Sequence, residues 1–256
     1  MRRLALIGIG TGHPDHLTLE AVAALNEASV VLVLDKREET ADLTAFRHLV
    51  CARHVRGRTM RIVAAQDPPR DRGAPYEAGV EAWHAARAAL LEDLIAREVP
   101  EGGLGAVLVW GDPSLYDSTI RIVDRIRARG RLALDHAVIP GISSPQVLAA
   151  RHRIALNRIG GAVHVTTGRR LAAGWPEGAD DVVVMLDGAE AFRGFLGRDL
   201  TIHWGAYLGG ADEMLVAGPL DAVADEITRR RAEARARLGW IMDCYLLRRP
   251  LPAANA

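Results

Sequence analysis

The chain has no charge surplus to offer a partner. Its 256 residues carry 32 Lys+Arg against 32 Asp+Glu, and aromatic residues make up only 5%. Without a basic excess or stacking platforms there is no footprint of a nucleic-acid binder, and no field that would draw the chain to an anionic membrane. Cysteine is scarce. Cys51 and Cys244 cannot make a disulfide scaffold and read as small buried hydrophobes in a reducing compartment. Long apolar runs are missing as well: the one after Met1-Arg2-Arg3 breaks at Gly8, too short for a signal sequence or a membrane span. These absences predict a cytoplasmic globular protein with enough chain for a sizeable core. No clustered His/Cys spacing suggests a metal. The positive charge that is present is nearly all arginine, whose planar fork grips carboxylates at two points, so a polycarboxylate ligand stays open.

What the chain does have is a rhythm. Apolar runs at 4–9, 29–34, 60–64, 106–110 and 136–139 read as strands. Helical stretches at 19–28 (capped by Thr18), 40–48, 76–97 and 119–129 alternate with them, while 66–75 is turn-forming. Such alternation implies parallel strands with right-handed crossovers. After about Gly141 the pattern changes: a helix at 145–152 leads into strand-like runs at 163–167, 182–186, 201–207 and 214–217, then a basic helix at 222–237 and a last strand at 240–247. The expected architecture is α/β in two domains, 1–141 with a mostly parallel sheet and 142–256 with a mixed one. On the basic helix Arg229, Arg230, Arg231, Arg235 and Arg237 alternate with Glu226 and Glu233 and are expected to face solvent.

Three strand ends carry unusual loops. After the first strand come Gly8, Gly10, Gly12, His13 and Pro14. A dinucleotide fingerprint needs its third glycine where His13 stands, and Pro14 delays the helix to Thr18, which argues against a nicotinamide cofactor with Asp35 as ribose ligand. After the fourth strand come Trp110-Gly111-Asp112-Pro113, which alone would be an ordinary turn. After the fifth come Pro140-Gly141-Ile142-Ser143-Ser144, with Ser144 placed to cap a helix. Strands one, four and five of a single parallel sheet would bring all three loops to one carboxyl edge, where ligands bind in such sheets.

These motifs resemble the tetrapyrrole methylase family. Its G-x-G-x-G-x-P-x-x-L-T pattern matches Gly8 through Thr18, G-D-P-x-x-Y matches Gly111, Asp112, Pro113 and Tyr116, and I-P-G-I-S-S matches Ile139 through Ser144. Stretches such as Leu34-Asp35-Lys36, Asp67 to Arg72, Thr166 to Arg170, Trp204 to Gly209 and Gly239 to Asp243 resemble the branch that methylates C-1 of precorrin-5, releasing acetate and giving precorrin-6A. The resemblance implies two α/β domains with S-adenosylmethionine between them and S-adenosylhomocysteine as its product. It implies cofactor contacts at Pro14, Trp110, Gly111, Asp112, Tyr116, Ser143, Ser144, Met185, Leu186, Ala206, Tyr207, Gly239 and Trp240. The partner it implies is a small-molecule tetrapyrrole, and homodimers are usual in the family.

Methyl transfer from a sulfonium mainly needs alignment and exclusion of water. Deacetylation needs in addition a base for water and a donor for the developing oxyanion, and the candidates on the expected rim are Asp112, Tyr116 and His13. Arg151, Arg153, Arg158, Arg169 and Arg170 are candidates for the carboxylates of the macrocycle. His84 and His152 sit on helices and read as packing or surface residues. A different corrin-ring methylase and, further off, a nicotinamide oxidoreductase are the alternatives.

Overall fold

The computed structural model describes residues 1–35, 41–71, 73 and 75–250, and of Asp35, Ala41, Asp42 and Tyr76 the backbone only. Lys36, Thr40, Arg72 and the Asp35 side chain, all used in the sequence argument, lie outside the described residues. The chain divides into two compact units, Met1–Ser143 and Ser144–Ala256.

The first unit runs β1 (Arg2–Gly8), α1 (Leu19–Glu27), β2 (Val30–Asp35), α2 (Ala41–His54), β3 (Ile62–Gln66), α3 (Tyr76–Glu98), β4 (Leu104–Val109), α4 (Thr119–Arg129) and β5 (Leu134–Ile139). Its sheet has the order β3-β2-β4-β1-β5, parallel throughout. Side chains alternate along each strand, so one run of apolar residues feeds two cores. Leu4 and Leu6 of β1 pack with Leu91, Leu94 and Ile95 of α3 and with Ile122 and Ile126 of α4. Ala5 and Ile7 pack on the other face with Ala21 and Leu25 of α1 and with Phe46, Val50 and Cys51 of α2. That second contact explains why α2 continues six residues past its expected end at 48: Val50 and Cys51 are buried, so packing extends the helix beyond what local pattern signals.

The second unit runs α5 (Ser144–His152), β6 (Val163–Thr167), α6 (Gly168–Leu171), β7 (Asp181–Met185), a 3₁₀ turn (Ala191–Phe195), β8 (Thr201–Ala206), β9 (Met214–Pro219), α7 (Leu220–Leu238) and β10 (Asp243–Arg248). The sheet order is β6-β7-β10-β8-β9, with β6 and β7 parallel and the remaining pairs antiparallel. It is therefore the mixed sheet expected from the denser strand signals. The single turn α6 and the 3₁₀ turn are too short to leave a periodic signature. Trp204, Tyr245 and Phe192 are fully buried in its core.

One expectation about α7 is corrected. Arg229 and Arg230 do face solvent, paired at i,i+4 with Glu233 and Glu226. Arg231 does not: it is 3% exposed. The buried residues of this helix are Leu220, Ala224, Ile227, Arg231 and Ala234, spaced by alternating fours and threes, so Arg231 falls on the apolar stripe. Among the described residues no helix is long and apolar enough to cross a membrane.

Candidate active site

Strands β4, β1 and β5 are immediate neighbours and parallel. Their carboxyl ends therefore present the three glycine loops side by side. The loops meet backbone to backbone. A Cβ on Gly141 would sit 2.2 Å from the Gly111 carbonyl oxygen, and one on Gly8 would sit 2.6 Å from the Gly141 Cα. No side chain fits in either place. Gly10 and Gly111 form an isolated antiparallel bridge, Gly111 N–H donating to the Gly10 carbonyl at 2.8 Å and Gly10 N–H to the Gly111 carbonyl at 3.3 Å.

Asp112 ties the second loop to the third. Its Oδ2 accepts from Gly141 N–H at 2.9 Å, and its Oδ1 accepts from Ser114 N–H at 2.8 Å and from the Ser114 hydroxyl. Burial alone would raise this carboxyl, but the hydrogen bonds from Ser114 and Gly141 prevail and hold it below the usual carboxylate range. Amide donors that a phosphate loop keeps open are here consumed by the neighbouring loop. Glu20 in the first turn of α1 adds a negative charge where a phosphate-binding helix would avoid one. The edge is thus unsuited to a pyrophosphate.

The first loop is braced from α2, by residues that carry no motif in the sequence. His54 Nε2 donates to the Pro14 carbonyl at 2.7 Å. Arg53 makes a forked pair with Asp15 at 2.9 and 3.0 Å, and its hydrogen bond holds the exposed Asp15 carboxyl below its usual range. His13 Nδ1 accepts from Asp15 N–H at 3.2 Å, and its ring lies 5.2 Å from that of His16. Helix α1 then starts at Leu19, with the Thr18 hydroxyl accepting from Ala21 N–H at 3.0 Å, as the sequence implied.

The remaining candidates on the second and third loops divide. Tyr116 is 44% exposed and holds a positive φ of 53°; partial burial pushes its phenol above the ordinary value. Trp110 packs edge-on against Phe46 at 5.2 Å in the core beneath the loops. Ser143 is buried. Ser144 is not the helix cap that was expected, because α5 includes it; its hydroxyl instead bonds the sulfur of Cys244. Burial drives the Cys244 thiol up to about 12 and the Cys51 thiol up to about 11, so both are free, buried and inert.

Six of the second unit's cofactor candidates, Met185, Leu186, Ala206, Tyr207, Gly239 and Trp240, gather at one edge of its sheet. Met185 ends β7 and Ala206 ends β8, and both strands run antiparallel to β10, where Cys244 pairs with Met185 and Asp243 with Ala206. Leu186, 66% exposed at φ 54°, and Tyr207, at φ 48°, follow those strand ends. Gly239 closes α7 in the left-handed conformation. Tyr207 N–H donates to the Met242 carbonyl at 2.9 Å, its hydroxyl donates to the Trp240 carbonyl, and its ring meets Trp240 edge-on at 5.3 Å. Of six described non-glycine residues with positive φ, Tyr116, Arg153, Leu186 and Tyr207 are sequence-derived site candidates. Strain of this kind persists where surrounding structure enforces it and concentrates at functional positions.

Behind this edge lies a buried ionic cluster that sequence reasoning missed. Arg231 pairs with Asp243 and approaches Glu190 at 3.4 Å, and its second amino group donates to the Asp187 carbonyl at 2.7 Å. Its only sequence signal was its place on the apolar stripe of α7. The arginines proposed for substrate also divide. Arg151 is paired with Glu213 at 2.9 Å, and Arg158 with Asp181 at 3.2 Å and with the Arg249 carbonyl. Arg153, Arg169 and Arg170 are exposed. His152 Nε2 contacts the Trp204 carbonyl at 3.0 Å and packs edge-on against His203, whose burial lowers it to about 4 and keeps it neutral. His84 packs against Trp83. Among the described residues no group of three or more His, Cys, Asp or Glu is arranged to hold a metal.

Comparison with known proteins matches these features. The family model of the tetrapyrrole (corrin/porphyrin) methylases covers residues 3–224. A precorrin-6A synthase [deacetylating] from Sinorhizobium sp is 48% identical over 250 residues, 97% of this chain and 96% of that protein. The crystal structure of a putative cobalamin synthesis related protein (CobF) from Corynebacterium diphtheriae is 40% identical and superposes with a TM-score of 0.83 over 97% of this chain and 98% of that one. A uroporphyrin-III C-methyltransferase from Thermus thermophilus, solved with S-adenosylhomocysteine, shares the fold at 21% identity and a TM-score of 0.57, covering 96% of each chain. Backbone-packed loops at one parallel edge, strained positions at a second and a family match along most of the chain agree: the protein belongs to the tetrapyrrole (corrin/porphyrin) methylases.

Proposed function

We propose that the chain is an S-adenosylmethionine-dependent C-methyltransferase of cobalamin biosynthesis that methylates C-1 of precorrin-5, releasing acetate and yielding precorrin-6A. The observation that carries this reading is end-to-end similarity to a deacetylating precorrin-6A synthase at 48% identity. The first unit suits the cofactor: its loop edge is backbone-built, with its amides bridged to one another and a half-exposed Tyr116, which favours an uncharged adenosine over a pyrophosphate. Pro14, Gly111, Asp112, Tyr116 and Ser143 on that unit, and Ser144, Met185, Leu186, Ala206, Tyr207, Gly239 and Trp240 on the other, are the residues we assign to holding it. When bound, it supplies an activated methyl group on a good leaving group.

The chain's own side chains bear on deacetylation. Water adds to the acetyl carbonyl and releases its two protons to solvent, the bond to C-1 breaks, acetate leaves, and the electron pair left on C-1 is the nucleophile for the methyl. With Nδ1 accepting from Asp15 N–H, neutral His13 carries its proton on Nε2. That makes it a donor suited to the acetyl oxygen as charge builds there. Asp112 is unsuited to act as base, since both its oxygens are bonded within the loops.

The decisive experiment is incubation with precorrin-5 and methyl-labelled S-adenosylmethionine. Labelled product with one equivalent of acetate is expected. Methylation without acetate places the chain elsewhere in the family, and no methylation overturns the reading. His13→Ala is expected to slow acetate release about 100-fold or more, the size of losing one oxyanion donor, with partial recovery in His13→Gln. Unchanged release excludes the role.

A further inference from the structure

The buried cluster behind the second-unit edge has a geometry that mere packing does not require. Arg231 reaches two chain segments at once. One is the turn after β7: its amino group holds the Asp187 carbonyl at 2.7 Å, one residue beyond the strained, exposed Leu186. The other is the start of β10, where it pairs with Asp243. Asp243 stands opposite Ala206, and the preceding Met242 carbonyl receives the N–H of the strained Tyr207.

The two carboxylates are themselves clamped. Asp187 accepts from Ala189 N–H at 3.0 Å, from Ala191 N–H at 2.7 Å and from the Tyr245 hydroxyl at 2.6 Å. Asp243 also accepts from Trp204 Nε1 at 2.7 Å. Glu190, itself at positive φ, is fixed by the Thr228 hydroxyl at 2.6 Å. Even Gly168 belongs here: a Cβ on it would lie 2.3 Å from Asp187 Oδ1, so this glycine makes room for the carboxylate. Burying several charges is costly, and replacing the whole cluster by well-packed hydrophobic residues would stabilise the fold as well. The cluster's distinctive product is a fixed backbone at Leu186 and Tyr207, whose left-handed conformations need outside enforcement.

Resting on the methyltransferase reading above, we propose that Arg231 is a positioning residue for the cofactor: through Asp187 and Asp243 it holds the two strained backbone segments, at Leu186 and Tyr207, that are assigned above to holding S-adenosylmethionine. Lysine has one head group and cannot make the fork that reaches the Asp187 carbonyl and the Asp243 carboxylate together. Tyr245→Phe removes a single oxygen from Asp187 and leaves the ring packing intact.

The test is calorimetric titration of S-adenosylhomocysteine into the full chain and into Arg231→Lys, Tyr245→Phe and, as control, the exposed Arg229→Met, each with a thermal melt. The Kd is expected to rise about tenfold in Arg231→Lys and about threefold in Tyr245→Phe, and to stay within a factor of 1.5 in Arg229→Met. In turnover, KM for S-adenosylmethionine rises with the Kd, while KM for the tetrapyrrole and kcat at saturating cofactor change by less than twofold. A Kd unchanged in a folded Arg231→Lys, or in Tyr245→Phe if the lysine variant does not fold, overturns the positioning role and leaves the methyltransferase reading standing. A wild-type chain that takes no S-adenosylhomocysteine overturns both.

Discussion

The two sheet edges, one in each unit, at which the candidate residues lie are built by opposite means. In the first unit, Gly8, Gly111 and Gly141 touch through main-chain atoms, and Gly10 and Gly111 exchange both of their backbone hydrogen bonds. In the second unit the backbone is held by side chains from behind: Arg231, Asp187, Asp243, Tyr245 and Trp204. The first edge depends on the absence of atoms and the second on paired charges. Each should therefore fail in its own way, the one by steric insertion and the other by charge deletion.

The largest effect is expected on the side-chain edge. Arg231→Met leaves Asp243 buried without its cation, a loss of about 3–5 kcal/mol, read by denaturant unfolding followed by far-UV circular dichroism. Adding Asp243→Asn should return part of that loss. A cost below about 1 kcal/mol for the single variant would mean that the cluster is not what holds this edge.

Next comes steric insertion. Gly141→Ala drives a methyl into the Gly111 carbonyl, and backbone on both sides leaves little room to relax, so about 2–3 kcal/mol should be lost. Gly194→Ala, with open space around its Cβ and no positive φ, is the counterpart that should change stability by no more than about 0.5–1 kcal/mol. Equal costs at the two positions would remove the case for a backbone-built edge.

A smaller effect tests the one carboxylate on the backbone edge. Asp112→Asn weakens charge-assisted bonds to Ser114 and Gly141 and should cost about 1–2 kcal/mol at neutral pH. The sign of its pH dependence follows from the direction of the shift. The folded carboxyl titrates below its unfolded value, so its contribution is complete above about pH 4 and fades as pH falls through the folded pKa. The gap between wild type and Asp112→Asn should narrow at acid pH; a gap that widens there would contradict the assignment.

The same contrast governs what could be read from the sequence. A backbone-built edge writes itself as glycines, because no other residue fits at Gly8 or Gly141, and the three loops stand out in the sequence as motifs. Their adjacency also followed once the alternation marked the sheet as parallel. A side-chain-built edge leaves no such mark: Arg231 stands in a run of arginines and is told from Arg229 and Arg230 only by its helical phase. Asp15, Arg53 and His54 were equally invisible, since their pairing joins residues from separate elements. The far end of α2 escaped because tertiary burial of Val50 and Cys51, and not local periodicity, sustains it.

The position of β1 has a consequence for how the protein comes into being. β1, which is made before the other strands of its sheet, lies between β4 and β5, pairing Arg3 with Leu104 and Leu4 with His136. It has no hydrogen-bonding partner until about a hundred residues more have been made, and its second flank stays open until β5 arrives. Such long-range parallel pairing is slow to nucleate. Until then an apolar segment with two unpaired sides is exposed to aggregation. The glycine loops come together only when that strand is flanked on both sides, so this edge would be among the last parts of its unit to form.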